Sequence, residues 1–141
     1  MKIKTLIFVA AMMLVFSIAK TQTTNNWQLA AIGMDGTNGY KGVDVYYQLT
    51  TCNSAEVIVL KIINTNAYAV KAQWINAIAT NDNKDLYGKS KLVSYKLPSK
   101  GEAKGDCNDK TGILSFKLSD YGIKASDLRI FVGSNFDVTN N

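Results

Sequence analysis

The stretch Val43-Asp44-Val45-Tyr46-Tyr47-Gln48-Leu49-Thr50 decides the class of this fold. Val43, Val45, Tyr47 and Leu49 alternate with Asp44, Tyr46, Gln48 and Thr50. That period of two marks a strand with one side toward a core and the other toward water. Residues 56–63 follow, nearly all apolar and β-branched, as in a central strand covered on both sides. Farther on, Val70, Ala72, Trp74 and Ile78 share one parity against Lys71 and Gln73, which predicts a core position for Trp74. Val93, Tyr95 and Leu97 line one face of residues 92–97, and Leu114, Phe116 and Leu118 oppose Ser115 and Lys117. Leu128, Ile130 and Val132 make a last strong strand that Phe136 and Val138 extend, and residues 27–34 read as a first strand.

Turn formers punctuate these runs: Asp35-Gly36, Asn38-Gly39, Asn64-Thr65-Asn66, then residues 80–84, 98–101, 105–112 and 119–122. Turns at this spacing, with no long 3.6-residue stripe, predict an all-β, single-domain β-sandwich of about seven antiparallel strands. A small single-sheet β-barrel is the alternative. A helical turn around residues 121–127 is the one exception expected, and the polar ends, 21–26 and 139–141, are expected to fray. No repeat, linker or low-complexity tract divides the chain.

Residues 1–19 stand apart. Lys2 and Lys4 precede an uncharged run, and Ser17 and Ala19 place small residues at the −3 and −1 positions before Lys20. This is the pattern of a secretory signal peptide, and the uncharged run is short of the ~20 residues that span a bilayer as a helix. The mature domain is then residues 20–141, secreted or periplasmic, with no membrane span. Removing Lys2 and Lys4 lowers the net charge from +5 to +3, which weakens any nucleic-acid reading based on basicity.

Export places the two cysteines, Cys52 and Cys107, in an oxidising compartment, where only one intramolecular pairing is available. Both sit among turn residues, so a bridge between them ties loops or strand ends together at one end of the domain.

The pattern Val59-x-x-Ile62-x-Asn64-x-Asn66, then Val70 and Trp74, then Leu97-Pro98-x-x-Gly101-Glu102, resembles small bacterial secreted domains of the immunoglobulin-like or fibronectin-III-like type. The resemblance spans residues 59–102 and implies an immunoglobulin-like architecture only. True immunoglobulin domains bridge mid-strand positions and place a Trp soon after the first Cys. Here the cysteines lie in turns and Trp74 is far downstream of Cys52.

Several chemistries are excluded or unsupported. The chain has no histidine, which removes Ser-His-Asp and Cys-His catalysis, histidine ligation of metals and histidine pH switching. Gly36-x-x-Gly39-x-x-Gly42 leads into a strand pattern and not a helix, so it reads as a hairpin turn and not a phosphate cradle. Glu56, Glu102 and the aspartates stand in turn contexts and form no evident paired-carboxylate motif. Asp82 with Asp85, and Asp106 with Asn108 and Asp109, are the two clusters that calcium chemistry would draw on, yet neither has EF-hand spacing and Lys84 and Lys110 oppose them. The expectation is no metal, no cofactor and no enzyme.

What remains is recognition. Lys84, Lys89, Lys91, Lys96, Lys100, Lys104 and Lys110 read as a solvated edge that resists aggregation, or as a surface for an anionic partner. Tyr46 and Phe131 fall on the polar parity of their strands, which puts them on a sheet's outer face or beneath a covering loop. Together with Trp27 they are the candidate ligand or partner residues. The sequence thus reads as an exported, non-catalytic binding or structural domain, a protein-interaction module of the cell envelope in the first instance. Carbohydrate binding through Tyr46, Phe131 or Trp27, and enzyme inhibition by a loop over residues 81–89, are the alternatives; the partner is a protein or glycan and not nucleic acid.

Overall fold

The computed structural model describes residues 26–33, 35–87 and 91–141. The signal-peptide reading of residues 1–19 lies outside the described residues, as does nearly all of the segment 21–26. Among the described residues there are ten strands: β1 (Gln28–Leu29), β2 (Gly39–Tyr40), β3 (Val43–Cys52), β4 (Ala55–Asn64), β5 (Val70–Thr80), β6 (Asp85–Leu86), β7 (Leu92–Leu97), β8 (Glu102–Lys104), β9 (Ser115–Lys117) and β10 (Leu128–Asn140). Two 3-10 turns, Leu118–Tyr121 and Ala125–Asp127, occupy the place where one helical turn was expected.

The strands form two antiparallel sheets, a sandwich and not a closed barrel. In the larger sheet the order is β1-β3-β4-β8, with β2 also beside β3 and β9 also beside β4. In the smaller sheet β5 is central, with β10 on one side and β6 and β7 on the other. The count exceeds seven because five of the ten strands are only two or three residues long, and short strands leave almost no periodic signal in a sequence.

β3 and β4 form a hairpin in continuous register from Val43↔Asn64 to Cys52↔Ala55. Its two-residue turn, Asn53-Ser54, has positive φ at both positions (48° and 65°). That is the turn geometry whose twist matches the flanking strands. The register sends Val43, Val45 and Tyr47 inward together with Ile58, Leu60 and Ile62, all buried. Val57 and Val59 point the other way yet are also buried, because Cys52, Ala55 and Trp27 pack over them. The double-sided apolar character of this strand therefore has a structural cause on each face.

Opposite lies β5, with Val70, Ala72, Trp74 and Ile78 facing the core as expected. Trp74 is 1% exposed, stacks on Phe136 at 5.8 Å, and donates from Nε1 to Asn76 Oδ1 at 2.6 Å. Asn64, buried at the end of β4, donates from Nδ2 to the carbonyls of Tyr68 and Pro98, and its Oδ1 accepts from the Asn66 backbone and side chain. One amide thereby joins the β4–β5 and β7–β8 connections, both of which cross between the sheets.

Three expectations are corrected. Phe131 is not on an outer face: it is fully buried, 5.7 Å from Phe116 and 6.3 Å from Tyr47 between ring centroids. The parity of β10 misleads because its pairing with β5 shifts register between Leu128 and Ile130 and again between Ser134 and Asp137. Each extra residue exchanges inside for outside, so Phe131 and Val138 both face the core from positions of opposite parity. Residues 139–141 are not loose: Thr139 and Asn140 pair with Lys71 and Val70, and the Asn141 N–H donates to the Ala69 carbonyl at 3.2 Å. The first strand is also shorter than residues 27–34. Ala30 still donates its N–H to the Val45 carbonyl of β3 at 3.2 Å, and Ala31 then forms a parallel bridge to Val132 of β10, so this segment laces the two sheets together.

Cys52 and Cys107 form a disulfide from the end of β3 to the loop between β8 and β9, as the sequence indicated. Among the described residues, no helix is long and apolar enough to cross a membrane.

Two measurements check this account. Phe131→Ala should cost about 3–5 kcal/mol in urea unfolding, whereas Tyr46→Ala should cost about 1 kcal/mol or less. Replacing both cysteines with alanine removes a cross-link over a sequence separation of 55 and should lower stability by about 4 kcal/mol, with the folded far-ultraviolet spectrum retained.

Candidate functional site

Side chains on the outer face of the larger sheet follow directly from strand pairing, since residues opposite one another share a face. Leu29 pairs with Tyr46, Tyr46 with Lys61, and Lys61 with Lys104, giving one row that crosses β1, β3, β4 and β8. Trp27, just before β1, folds onto the same face over Val57 and Val59. The Lys61 ammonium lies 4.9 Å from the ring centroids of both Trp27 and Tyr46, and the Lys104 ammonium lies 5.2 Å from that of Trp27. Two of the three predicted aromatics thus meet here, and Phe131 does not.

The electrostatics of this row are unusual. Lys61 and Lys104 are direct cross-strand neighbours, an arrangement in which like charges oppose each other. Among the described residues the ion pairs are Lys41 with Asp137 and Lys84 with Asp82, and neither Lys61 nor Lys104 has a carboxylate within pairing distance. Aromatic faces do part of the work instead, each contact contributing about 0.5–1 kcal/mol at a wet surface. One row along, Asp44, Ile63 and Glu102 lie side by side on the same face, so a cationic and an acidic row are neighbours. Leu29, 59% exposed, adds an apolar side chain at the β1 end.

Lys61 escaped the sequence reading because it sits inside an otherwise apolar run. The available signal was its odd number, which it shares with Val57 and Val59 and which sets it on the face of Tyr46. The lysine-rich tract from Lys84 to Lys110 does not form one surface. Lys84 pairs with Asp82, Lys96 lies on β7 of the smaller sheet, Lys100 donates to the Thr65 carbonyl, and Lys104 lies on β8 of the larger sheet. Lys89 lies outside the described residues.

Of the aspartates singled out for calcium, Asp85 lies in β6 opposite Ala79, and the other three are engaged in their own turns. Asp82 accepts from the Thr80 hydroxyl and pairs with Lys84. Asp106 accepts from the Asn108 N–H at 2.7 Å. Asp109 accepts from the Thr111 N–H at 2.9 Å, the Thr111 hydroxyl at 2.5 Å and the Leu114 N–H at 2.9 Å. No group of three or more His, Cys, Asp or Glu side chains that could hold a metal exists among the described residues. A cleft of about 330 Å³ beside the disulfide is lined by Asp106, Asp109, Lys110 and Lys117, and its shape follows from this loop.

Partial burial pushes the Asp109 carboxyl up, but its hydrogen bonds from Thr111 and the following backbone outweigh that, and its pKa lies below the ordinary value. A carboxylate with a lowered folded pKa stabilises the protein above its unfolded pKa, ~3.9, and that contribution disappears as pH falls through the folded value. Asp109→Asn should therefore cost about 1–2 kcal/mol at pH 7. The variant's stability should also fall less steeply than the wild type's on acidification below pH ~4, as read by thermal melts across pH.

No family model, no curated protein and no solved structure matches this chain.

Proposed function

We propose that this protein is an exported, non-catalytic interaction domain that binds a protein partner of the cell envelope through the outer face of its larger sheet. The observation that carries this reading is the Lys61 ammonium held between the Trp27 and Tyr46 rings beside Lys104, with no carboxylate among the described residues paired to either lysine. Aromatic side chains with an apolar neighbour and charges at their margin supply the anchors that protein interfaces use. Export rests on the pattern of residues 1–19 together with a disulfide, a bond that persists in oxidising compartments. The immunoglobulin-like kinship rests on the residue pattern of 59–102 and is consistent with two packed antiparallel sheets.

The alternatives draw less support. A neutral sugar stacks on open aromatic faces, but an ammonium already lies over both Trp27 and Tyr46, and Phe131 is in the core. An inhibitory loop needs to project, whereas the turn after β5 is lashed to the body. Asn81 donates to the carbonyls of Asp127 and Ser126, and Arg129 donates to Asn83.

A photo-crosslinking residue at Leu29, compared with one at Tyr68, also exposed but on the β4–β5 connection, tests the proposal in native envelopes. Adducts to a protein from position 29 and not from 68 are expected, with no signal for the purified protein on a neutral-glycan array. Glycan binding without protein adducts would sink it.

A further inference from the structure

Resting on that reading of the same face, the charge pattern points to the chemistry of the partner. We infer that the face receives an acidic protein segment of mixed charge, whose carboxylates seat against Lys61 and Lys104 while a cationic or polar stretch lies against Asp44 and Glu102.

The first half of this inference follows from an unresolved cost. Two lysines placed directly opposite across β4 and β8 repel each other, and sheets ordinarily relieve such a pair with an opposite charge nearby. Here both ammonium groups approach Trp27 and that of Lys61 also approaches Tyr46, while among the described residues no carboxylate, not even those of the adjacent row, forms an ion pair with either lysine. A carboxylate bridging the two would replace repulsion with two charge-assisted hydrogen bonds. Local violations of ordinary pairing rules are expected where a surface is built for something other than its own stability.

The second half separates a protein segment from a uniformly anionic polymer. Asp44 and Glu102 flank Ile63 on the same face, two residues along the strands from Lys61, a distance of about 7 Å. A polymer with a negative charge on every unit, laid across the cationic row, would meet this acidic row and be repelled. A polypeptide changes sign from one side chain to the next and matches both rows. The exposed Leu29 at the end of the cationic row adds a contact for an apolar side chain, which a polyanion lacks.

Titration of the purified full chain with three probes tests the inference, with Trp27 fluorescence and the NMR signals of Tyr46 and Lys61 as readouts. Trp74, buried and bonded to Asn76, serves as the internal reference. The probes are a capped acidic decapeptide of seven alternating Glu and Leu residues followed by Ser-Lys-Ser, a capped decaglutamate, and an oligogalacturonate matched in charge to the decaglutamate. The mixed peptide should bind at least about tenfold more tightly than either uniform polyanion, with shifts confined to this face. Lys61→Gln/Lys104→Gln should weaken it about tenfold or more, the scale of one lost charged hydrogen bond, while Lys61→Arg/Lys104→Arg should retain it. Equal or tighter binding of oligogalacturonate overturns the inference in favour of an acidic glycan. Peptide binding at this face that survives the Gln variant overturns the carboxylate recognition yet leaves the face as a protein contact. If no probe perturbs Trp27 or Tyr46, the inference and the reading beneath it fall together.

Discussion

The registered hairpin of β3 and β4 is the constraint on which the rest of this molecule depends. In a strand every side chain is assigned to one of two faces, and a slip of one residue exchanges them all. Ten consecutive pairs, closed by the left-handed Asn53-Ser54 turn, fix that assignment for the larger sheet. Val43, Val45, Tyr47, Ile58, Leu60 and Ile62 then present one apolar floor, and the smaller sheet covers it with Val70, Ala72, Trp74, Ile78 and Phe131. The same register sets Tyr46, Lys61, Val57 and Val59 on the outside. Core and candidate contact surface are two sides of one decision.

Polar groups at the ends of the sandwich keep that arrangement unique. A buried amide is costly unless its hydrogen bonds are made, and Asn64 makes four of them across both sheet-crossing connections. At the other end the disulfide and Asp109 organise the loop between β8 and β9, the covalent bond by shortening the unfolded chain's reach and the carboxylate by collecting backbone N–H groups. The segment after β1 bonds to β3 and then to β10, closing a seam that would otherwise expose two strand edges. Each device acts where the hydrophobic interior no longer does.

The outer face of the larger sheet obeys different priorities. Lys61 and Lys104 rest against aromatic rings and, among the described residues, pair with no carboxylate, although acidic side chains stand one row away. A surface built for solubility alone would intersperse the signs, since opposite charges across strands stabilise and like charges do not. Sorting the signs into rows forgoes that stabilisation and creates a directional pattern that a partner can read. Trp27 and Leu29 come from a segment with little regular structure of its own, so the face is completed by chain that the core merely holds in place.

By itself the sequence determined the all-β class, the sandwich as the first choice over a small barrel, the parities of β3 and β5, the two-sided burial of β4, the core position of Trp74 and the identity of the disulfide. These are local or combinatorial facts: alternation is read within a strand, and two cysteines allow one internal pair. Only the tertiary structure decided where Phe131 points, which lysines belong together, and that residues 139–141 are paired. The reason is physical. A bulge shifts parity by one residue without a reliable local signature, and a sheet brings Trp27, Tyr46, Lys61 and Lys104 into contact across strands that are distant in the chain. Which face a side chain takes follows from its own strand, but which neighbours it meets there follows from the order of the strands.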